Sequence, residues 1–374
     1  QRYFCRFNMA LTYLFGGSIC VYLLFTLYFT TGLHRLRNNS TPKYLPRVSI
    51  VIAVRNEAVT LQELLNDLVQ QDYPKDKLDI TIVNDRSTDG TWDIIQDYAQ
   101  LHPTVQGIKI ENTDPQMTPK KHALTHGIEN TNGEIIISTD GDCSVPTGWI
   151  RSMVEAFDDD TGIVVGRSTI DITKHSFLHY YQGLDFLGIM AANAGVIGWG
   201  QAWSGSGQNL AYRRKAFEHV NGFHPVAQRR SGDDMYLVQS ISKDFGIKFN
   251  ADPASFVITQ PINTVKEFIN QRTRWSSNSR SLWQTNIFFL AFLVIAFICN
   301  SVLLIGWFIK QTVFIMPILF ITKMISDGLV LFTGSVKLNI PIRIKDYIIW
   351  SLAQPLYIPY VGIMGLAGQF RWKE

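Results

Sequence analysis

Apolar residues are concentrated toward the two ends of the chain, and a periodic pattern of short apolar runs fills the middle. Met9–Thr31 carries no charge over about 23 residues, long enough at 1.5 Å per residue to cross a hydrocarbon core of about 30 Å. Ile287–Ile309 and Thr312–Thr333, separated by Lys310-Gln311, are two further candidates, and Tyr347–Leu366 is a third. The last contains Pro355 and Pro359, so it either spans with a kink or enters and returns. Between these ends, Arg47–Val54, Leu78–Val83, Gly107–Ile110 and Glu134–Ser138 read as strands. Val59–Gln71 has helical spacing at Leu61, Leu64, Leu65 and Leu68, and Thr91–Leu101 and Lys121–Thr131 also read as helices. The order β-α-β-α-β-α-β predicts an α/β fold: a Rossmann-like, mostly parallel sheet with helices on both faces, flanked by transmembrane helices.

Charge adds an orientation. His34-Arg35-Leu36-Arg37 follows the first apolar stretch, and Lys337, Arg343 and Lys345 follow the third, whereas only Lys310 marks the intervening turn. Basic residues favour the cytoplasmic side, which places residues of about 46–280 in the cytoplasm and the chain in the inner, cytoplasmic membrane as a multi-pass protein. A net charge of +3 without a dense Lys/Arg run argues against a nucleic-acid partner. Cys5, Cys20, Cys143 and Cys299 have no metal-ligand spacing and imply no disulfide framework.

In a parallel α/β sheet, ligands sit beyond the carboxyl ends of the strands, so the residues there carry the chemistry. The first strand ends in Arg55-Asn56-Glu57, the second in Asn84-Asp85-Arg86-Ser87-Thr88-Asp89-Gly90, and the fourth in Asp140-Gly141-Asp142. Each alone reads equally well as a polar loop. Together they place three acidic ends on one sheet edge, where Asp140 and Asp142 would repel each other unless something positive lies between them. A hard divalent cation, Mg²⁺ or Mn²⁺, resolves that repulsion, taking one or two carboxylates and completing its shell with phosphate oxygens and water. The glycine between the acids is expected to let the backbone turn. No P-loop pattern and no G-x-G-x-x-G follows any strand, which argues against a Walker-type ATPase or a dinucleotide enzyme.

The segments VSIVIAVRNEA, IVNDRSTDGT, STDGDC, SGDDMYL and QRTRW, in this order in a chain with membrane segments, resemble the family 2 glycosyltransferases of GT-A fold, in particular the membrane-integrated polysaccharide and glycolipid synthases. The resemblance covers about residues 47–275. It implies a nucleotide-sugar donor whose base meets Asp85, with Ala53, Arg55 and Glu57 lining the same pocket and Lys120 facing the donor. It further implies that Asp140 and Asp142 form the D-x-D pair, Asp142 being the metal ligand, and that Asp234 is the general base. Asp233 stands where many relatives have Glu. Gln271, Arg272, Arg274 and Trp275 match the Q-x-x-R-W signature that closes over the donor diphosphate and borders the acceptor. Plainer readings stand beside these: Asp233-Asp234 as a solvated turn, Lys120 and Lys121 as surface charges at a helix start, and Gln271–Trp275 as an interfacial helix with snorkelling basic residues.

His175–Ala192 reads as an aromatic-rich helix expected to pack on the sheet, and Gly198–Asn209 as a loop with two tryptophans and four glycines. Its part near Ser204–Gly207 is expected, from the resemblance, to lie near the acceptor. The expected organisation is an N-terminal membrane helix and linker (1–45), a catalytic domain (46–263), an amphipathic interfacial segment (264–285) and a C-terminal membrane region (286–374). The expected activity is inverting transfer from a UDP-sugar to a growing polysaccharide, with an accessory export subunit as a conceivable partner, or to a membrane lipid. A non-catalytic scaffold or sugar-nucleotide sensor would lack the base or a metal acid, and both are present.

Overall fold

The computed structural model describes residues 2–36, 44–172 and 176–370, with the backbone alone for residues 2–11. Arg37 of the basic cluster and His175 of the aromatic helix lie outside the described residues. The chain forms two compact units, one of Leu36–Asp171 with Ile197–Gln260, the other of Gln1–Arg35, Ile172–Val196 and Pro261–Glu374.

Among the described residues the first unit has ten strands: β1 Val48–Val54, β2 Leu78–Asp85, β3 Val105–Ile110, β4 Ile135–Ser138, β5 Cys143–Ser144, β6 Thr161–Gly166, β7 Ser168–Ile170, β8 Leu210–Arg213, β9 Gly246–Asn250 and β10 Val257–Thr259. Seven of them make a sheet in the order β3-β2-β1-β4-β8-β6-β9, and β5-β10-β7 make a second, smaller one. In the large sheet only β8 runs antiparallel to its neighbours. The order runs β3-β2-β1 in one direction and then reverses to β4, so the switch point falls between β1 and β4, where an open α/β sheet leaves a crevice at its carboxyl edge.

Alternation along the strands explains the layering. Ile50, Ile52, Ile80 and Ile82 are fully buried in one core with Leu61, Leu64, Leu65 and Leu68, the helical stripe expected over this segment. On the opposite face, Val51 and Val83 lie against Gly127 of the helix Pro119–Glu129. Burying four leucines contributes on the order of 1.5–3 kcal/mol each, so this stripe alone accounts for the docking of Leu61–Val69.

The second unit is helical. Four of its helices, Thr12–His34, Ile287–Phe308, Met316–Lys337 and Ile344–Ala367, are long and apolar enough to cross a membrane. Pro355 and Pro359 lie inside one continuous helix, Ile344–Ala367, so the segment does not enter and return. The helix Phe177–Gly198 differs from expectation: most of it belongs to this helical unit rather than to the sheet. Its sequence gives the reason, since a helix apolar nearly all round is suited to burial among other helices. Gly195 packs on the backbone of Phe29 and Ala191 on Gly334.

The segment Val265–Ser277 is helical, and Thr264 is its N-cap, its Oγ1 accepting from Glu267 N at 3.2 Å and donating to Glu267 Oε2 at 2.7 Å. Within the bundle, Lys323 and Asp327, one turn apart on Met316–Lys337, form an ion pair at 2.6 Å with both side chains buried, and Tyr22 donates to Asp327 at 2.8 Å. Each buried charge thus has a partner, and the tyrosine ties Asp327 to the first membrane-length helix.

Candidate active site

The ends of β1 and β2 are stitched into one edge. Asn56 N donates to Ser87 Oγ at 3.0 Å, Glu57 N to Thr91 Oγ1 at 2.9 Å, and Ala58 N to Asp89 Oδ2 at 3.2 Å, while Asn56 Oδ1 accepts from Thr88 N at 2.8 Å. Asn56 and Arg86 both hold φ 55°, a left-handed conformation that costs a non-glycine residue about 1 kcal/mol or more and that clusters at functional sites. Arg86 Nε meets Asp85 Oδ1 at 2.7 Å, so the buried Asp85 carboxylate is presented with a cation beside it. Ala53 and Glu57 are half-buried and Arg55 is exposed on the same edge.

β4 pairs with β1 in parallel, Ile50 opposite Ile137, and so delivers Asp140 and Asp142 beside the end of β1. Gly141 does not have a positive φ. Its glycine is required by space instead: a Cβ there would lie 2.9 Å from Val54 Cγ1 and 3.3 Å from Glu57 Cγ. The backbone does turn here as expected, Cys143 N donating to Asp140 O at 3.2 Å, and the close packing adds that Glu57 stands against the D-x-D pair.

Lys120 Nζ donates to Asp140 Oδ1 at 2.7 Å. Burial opposes the lysine's charge, but Asp140, Asp233 and Asp234 outweigh it and hold the ammonium well above the ordinary lysine range. Its neighbour lies deeper. Lys121 is 2% exposed, donates to Thr118 Oγ1 at 3.1 Å and to the backbone carbonyl of Arg229, and is lowered by burial. Thr118 N also donates to Ala227 O at 2.9 Å. The start of Pro119–Glu129 therefore grips Asp140 with one lysine and, with the other, the loop that leads into the helix Asp233–Ile241.

Gly232, at φ 84°, turns the chain into that helix and sets Asp234 in its first turn. Asp234 Oδ2 accepts from Gly207 N at 3.1 Å and Oδ1 from its neighbour Met235 N at 2.8 Å. A Cβ on Gly207 would lie 3.9 Å from Lys120 Nζ and 4.0 Å from Asp234 Oδ2, so the Ser204–Gly207 loop, the lysine and this carboxylate converge. The Asp234 carboxyl is pushed up to about 6, by burial first and by the charge of Asp233 second, against the stabilising pull of its two backbone donors and Lys120. A solvated turn would give neither the shift nor the donors. A carboxylate with its pKa near working pH is a more effective proton acceptor than an ordinary one.

For a metal, the donor chemistry fits a hard ion. Among the described residues no three His, Cys, Asp or Glu side chains cluster closely enough to hold an ion by themselves. The carboxylates of Asp140 and Asp142 supply oxygen only, which suits Mg²⁺ or Mn²⁺ bound partly by substrate phosphates rather than a closed protein cage.

Gln271, Arg272, Arg274 and Trp275 lie on Val265–Ser277 in the helical unit. Arg272 departs from the donor-facing role implied for it. It is 4% exposed, and its Nε meets Asp185 Oδ2 at 2.6 Å, so its guanidinium is engaged inside the helical unit rather than snorkelling toward headgroups. Sequence reasoning also missed Gly207 as a backbone donor, Lys121 as an anchor and Asp185 altogether.

Comparison with known proteins gives the family and the fold. Residues 49–220 match the family described as glycosyl transferase family 2, and residues 135–357 match the glycosyl transferase family group 2. The chain belongs to the family 2 glycosyltransferases. Among curated relatives, it is 28% identical over 243 residues to a probable glycosyltransferase of Bacillus subtilis, covering 64% of this chain and 56% of that protein. It is 27% identical over 290 residues to a beta-monoglucosyldiacylglycerol synthase of Nostoc, covering 72% of this chain and 60% of that protein. The chain thus spans less than two thirds of the length of either. Among solved structures, a mannosyltransferase of Pyrobaculum calidifontis in complex with GDP-Man and Mn²⁺ superposes with a TM-score of 0.59 at 20% identity, over 97% of this chain and 98% of that one. The fold is GT-A.

Proposed function

We propose that the protein transfers a sugar from a nucleotide diphosphate donor, a UDP-sugar, to a hydroxyl of a membrane lipid, with inversion at the anomeric carbon. The observation that carries this reading is the convergence of Asp234, Gly207 and the Lys120–Asp140 pair at the carboxyl edge of the sheet. Asp234 accepts the proton of the acceptor hydroxyl. The hydroxyl oxygen forms its bond to the anomeric carbon as the bond from that carbon to the donor's phosphate oxygen breaks, and the nucleoside diphosphate leaves with the electron pair. One carboxylate and one displacement give inversion.

Ala53, Arg55, Glu57 and Asp85 hold the nucleoside, and Lys120 keeps Asp140 in place beside Asp142. A divalent cation held by Asp140 and Asp142 would neutralise charge on the departing diphosphate. Arg274 offers a planar fork suited to the same diphosphate, and Gln271 and Trp275 act in transfer on the strength of the Q-x-x-R-W match. The mannosyltransferase complex with GDP-Man and Mn²⁺ supports a nucleotide-sugar donor and a divalent ion; the choice of UDP rests on the resemblance alone.

The lipid acceptor is favoured by the similarity to a glycolipid synthase over 72% of the chain, together with four helices able to cross a membrane. The basic residues Arg35, Lys337, Arg343 and Lys345 favour the cytoplasmic membrane with the sheet-containing unit in the cytoplasm. The test is product size. Purified full-length protein given labelled donor and membrane lipid is expected to form one organic-soluble species. A water-soluble ladder would overturn the lipid acceptor and assign transfer to a growing polysaccharide.

A further inference from the structure

Asp185, on the helix Phe177–Gly198, belongs to none of the motifs, yet it is the acid to which the Q-x-x-R-W segment is tied. Its Oδ2 meets Arg272 Nε at 2.6 Å and accepts from Tyr357 OH at 3.3 Å, the tyrosine lying on Ile344–Ala367. Arg272 then reaches both neighbours in the motif. One of its terminal nitrogens donates to Gln271 Oε1 at 2.5 Å, and its guanidinium carbon stands 4.1 Å from the ring centre of Trp275 and 4.8 Å from that of Phe268. Phe186, one residue after Asp185, meets the far side of the same cluster, its ring centre 6.1 Å from that of Trp275. The surrounding aromatics are locked in turn: Phe268 stacks on Tyr357 at 5.8 Å and 10°, and Tyr181 meets both edge-on.

A buried ion pair is weak as a device for stability, because desolvating both charges consumes most of their attraction. What this one does well is fix geometry. The carboxylate at Nε restrains the guanidinium, and a guanidinium carbon held 4.1 Å from the centre of the Trp275 ring restrains that ring in turn. We infer that Asp185, through Arg272, is the positioning element that sets the side chains of Trp275 and Gln271 for sugar transfer. This rests on the reading that the Q-x-x-R-W residues act in transfer. Neither Asp185 nor Arg272 needs to touch a substrate for it to hold.

The test compares a broken pair with a neutralised one in the detergent-solubilised full chain. Asp185→Asn leaves Arg272 charged and unpaired; it is expected to lower kcat about 10²-fold while donor KM stays within about twofold, as misplacement of a reacting group does. Asp185→Glu should recover part of that loss. Because Asp185→Asn also endangers the fold, the double variant Asp185→Leu with Arg272→Met replaces both charges by apolar side chains and restores packing. The inference predicts a double variant as heat-stable as the parent with kcat still reduced about 10²-fold. Recovery of kcat together with stability in the double variant would overturn it, as would an Asp185→Asn enzyme with parental kcat. Asp234→Asn, assayed alongside, separates this from the reading beneath it: if that variant retains parental turnover, the proposed mechanism fails, whereas its inactivity beside an active double variant defeats only the role of Asp185.

Discussion

Lys120 Nζ lies 2.7 Å from Asp140 Oδ1, and the same ammonium is close enough to Asp234 to pull that carboxyl downward. One side chain thus links the D-x-D pair to the proposed base. Replacing it by methionine removes a cation from among three aspartates. Transfer should fall by about 10²-fold, the scale of losing one preorganised electrostatic contact. The acidic limb of the pH–rate profile should also move to higher pH, because the charge that lowered Asp234 is gone; steady-state kinetics across pH checks both.

Asp233 acts on Asp234 with the opposite sign. Its charge helps to raise the Asp234 carboxyl to about 6, so activity should climb through about pH 6 and level off above it. In Asp233→Asn that limb should shift to lower pH. A limb that stays in place in this variant would mean that the rise reports another group.

Lys121 anchors the loop before the base through the Arg229 carbonyl. Lys121→Met leaves that partly buried carbonyl with one donor fewer, at a cost of about 1 kcal/mol. Thermal unfolding should register the loss, and kcat should fall more than donor binding, since the loop carries Asp234 and not the nucleoside pocket.

Asp142→Asn should abolish transfer that depends on added Mg²⁺ or Mn²⁺, and chelation by EDTA should silence the parent to the same level. Undiminished transfer in EDTA would remove the ion from the account.

Much of this was legible in the residues themselves. The stripe Leu61, Leu64, Leu65 and Leu68 announced its helix because four leucines at 3.6-residue spacing have few other uses, and all four are fully buried. The acidic strand ends were legible because the chemistry sits where parallel strands stop. The strands β6, β8 and β9 were not, since each is a run of four to six residues whose partners are set by long-range pairing, including the antiparallel insertion of β8 between β4 and β6. Lys121 and Arg272 misled for a shared reason: a basic residue on a helix is normally solvated, and only tertiary structure reveals the carbonyl or carboxylate that draws it inside.

The Asp234→Asn variant addresses the central claim most directly. With labelled UDP-sugar, Mn²⁺ and membrane lipid, the parent should form glycosylated product, while the variant should bind the donor with parental affinity and form none within the detection limit. Product formation by Asp234→Asn at near the parental rate would contradict the account, because the proton of the acceptor hydroxyl would then be taken elsewhere.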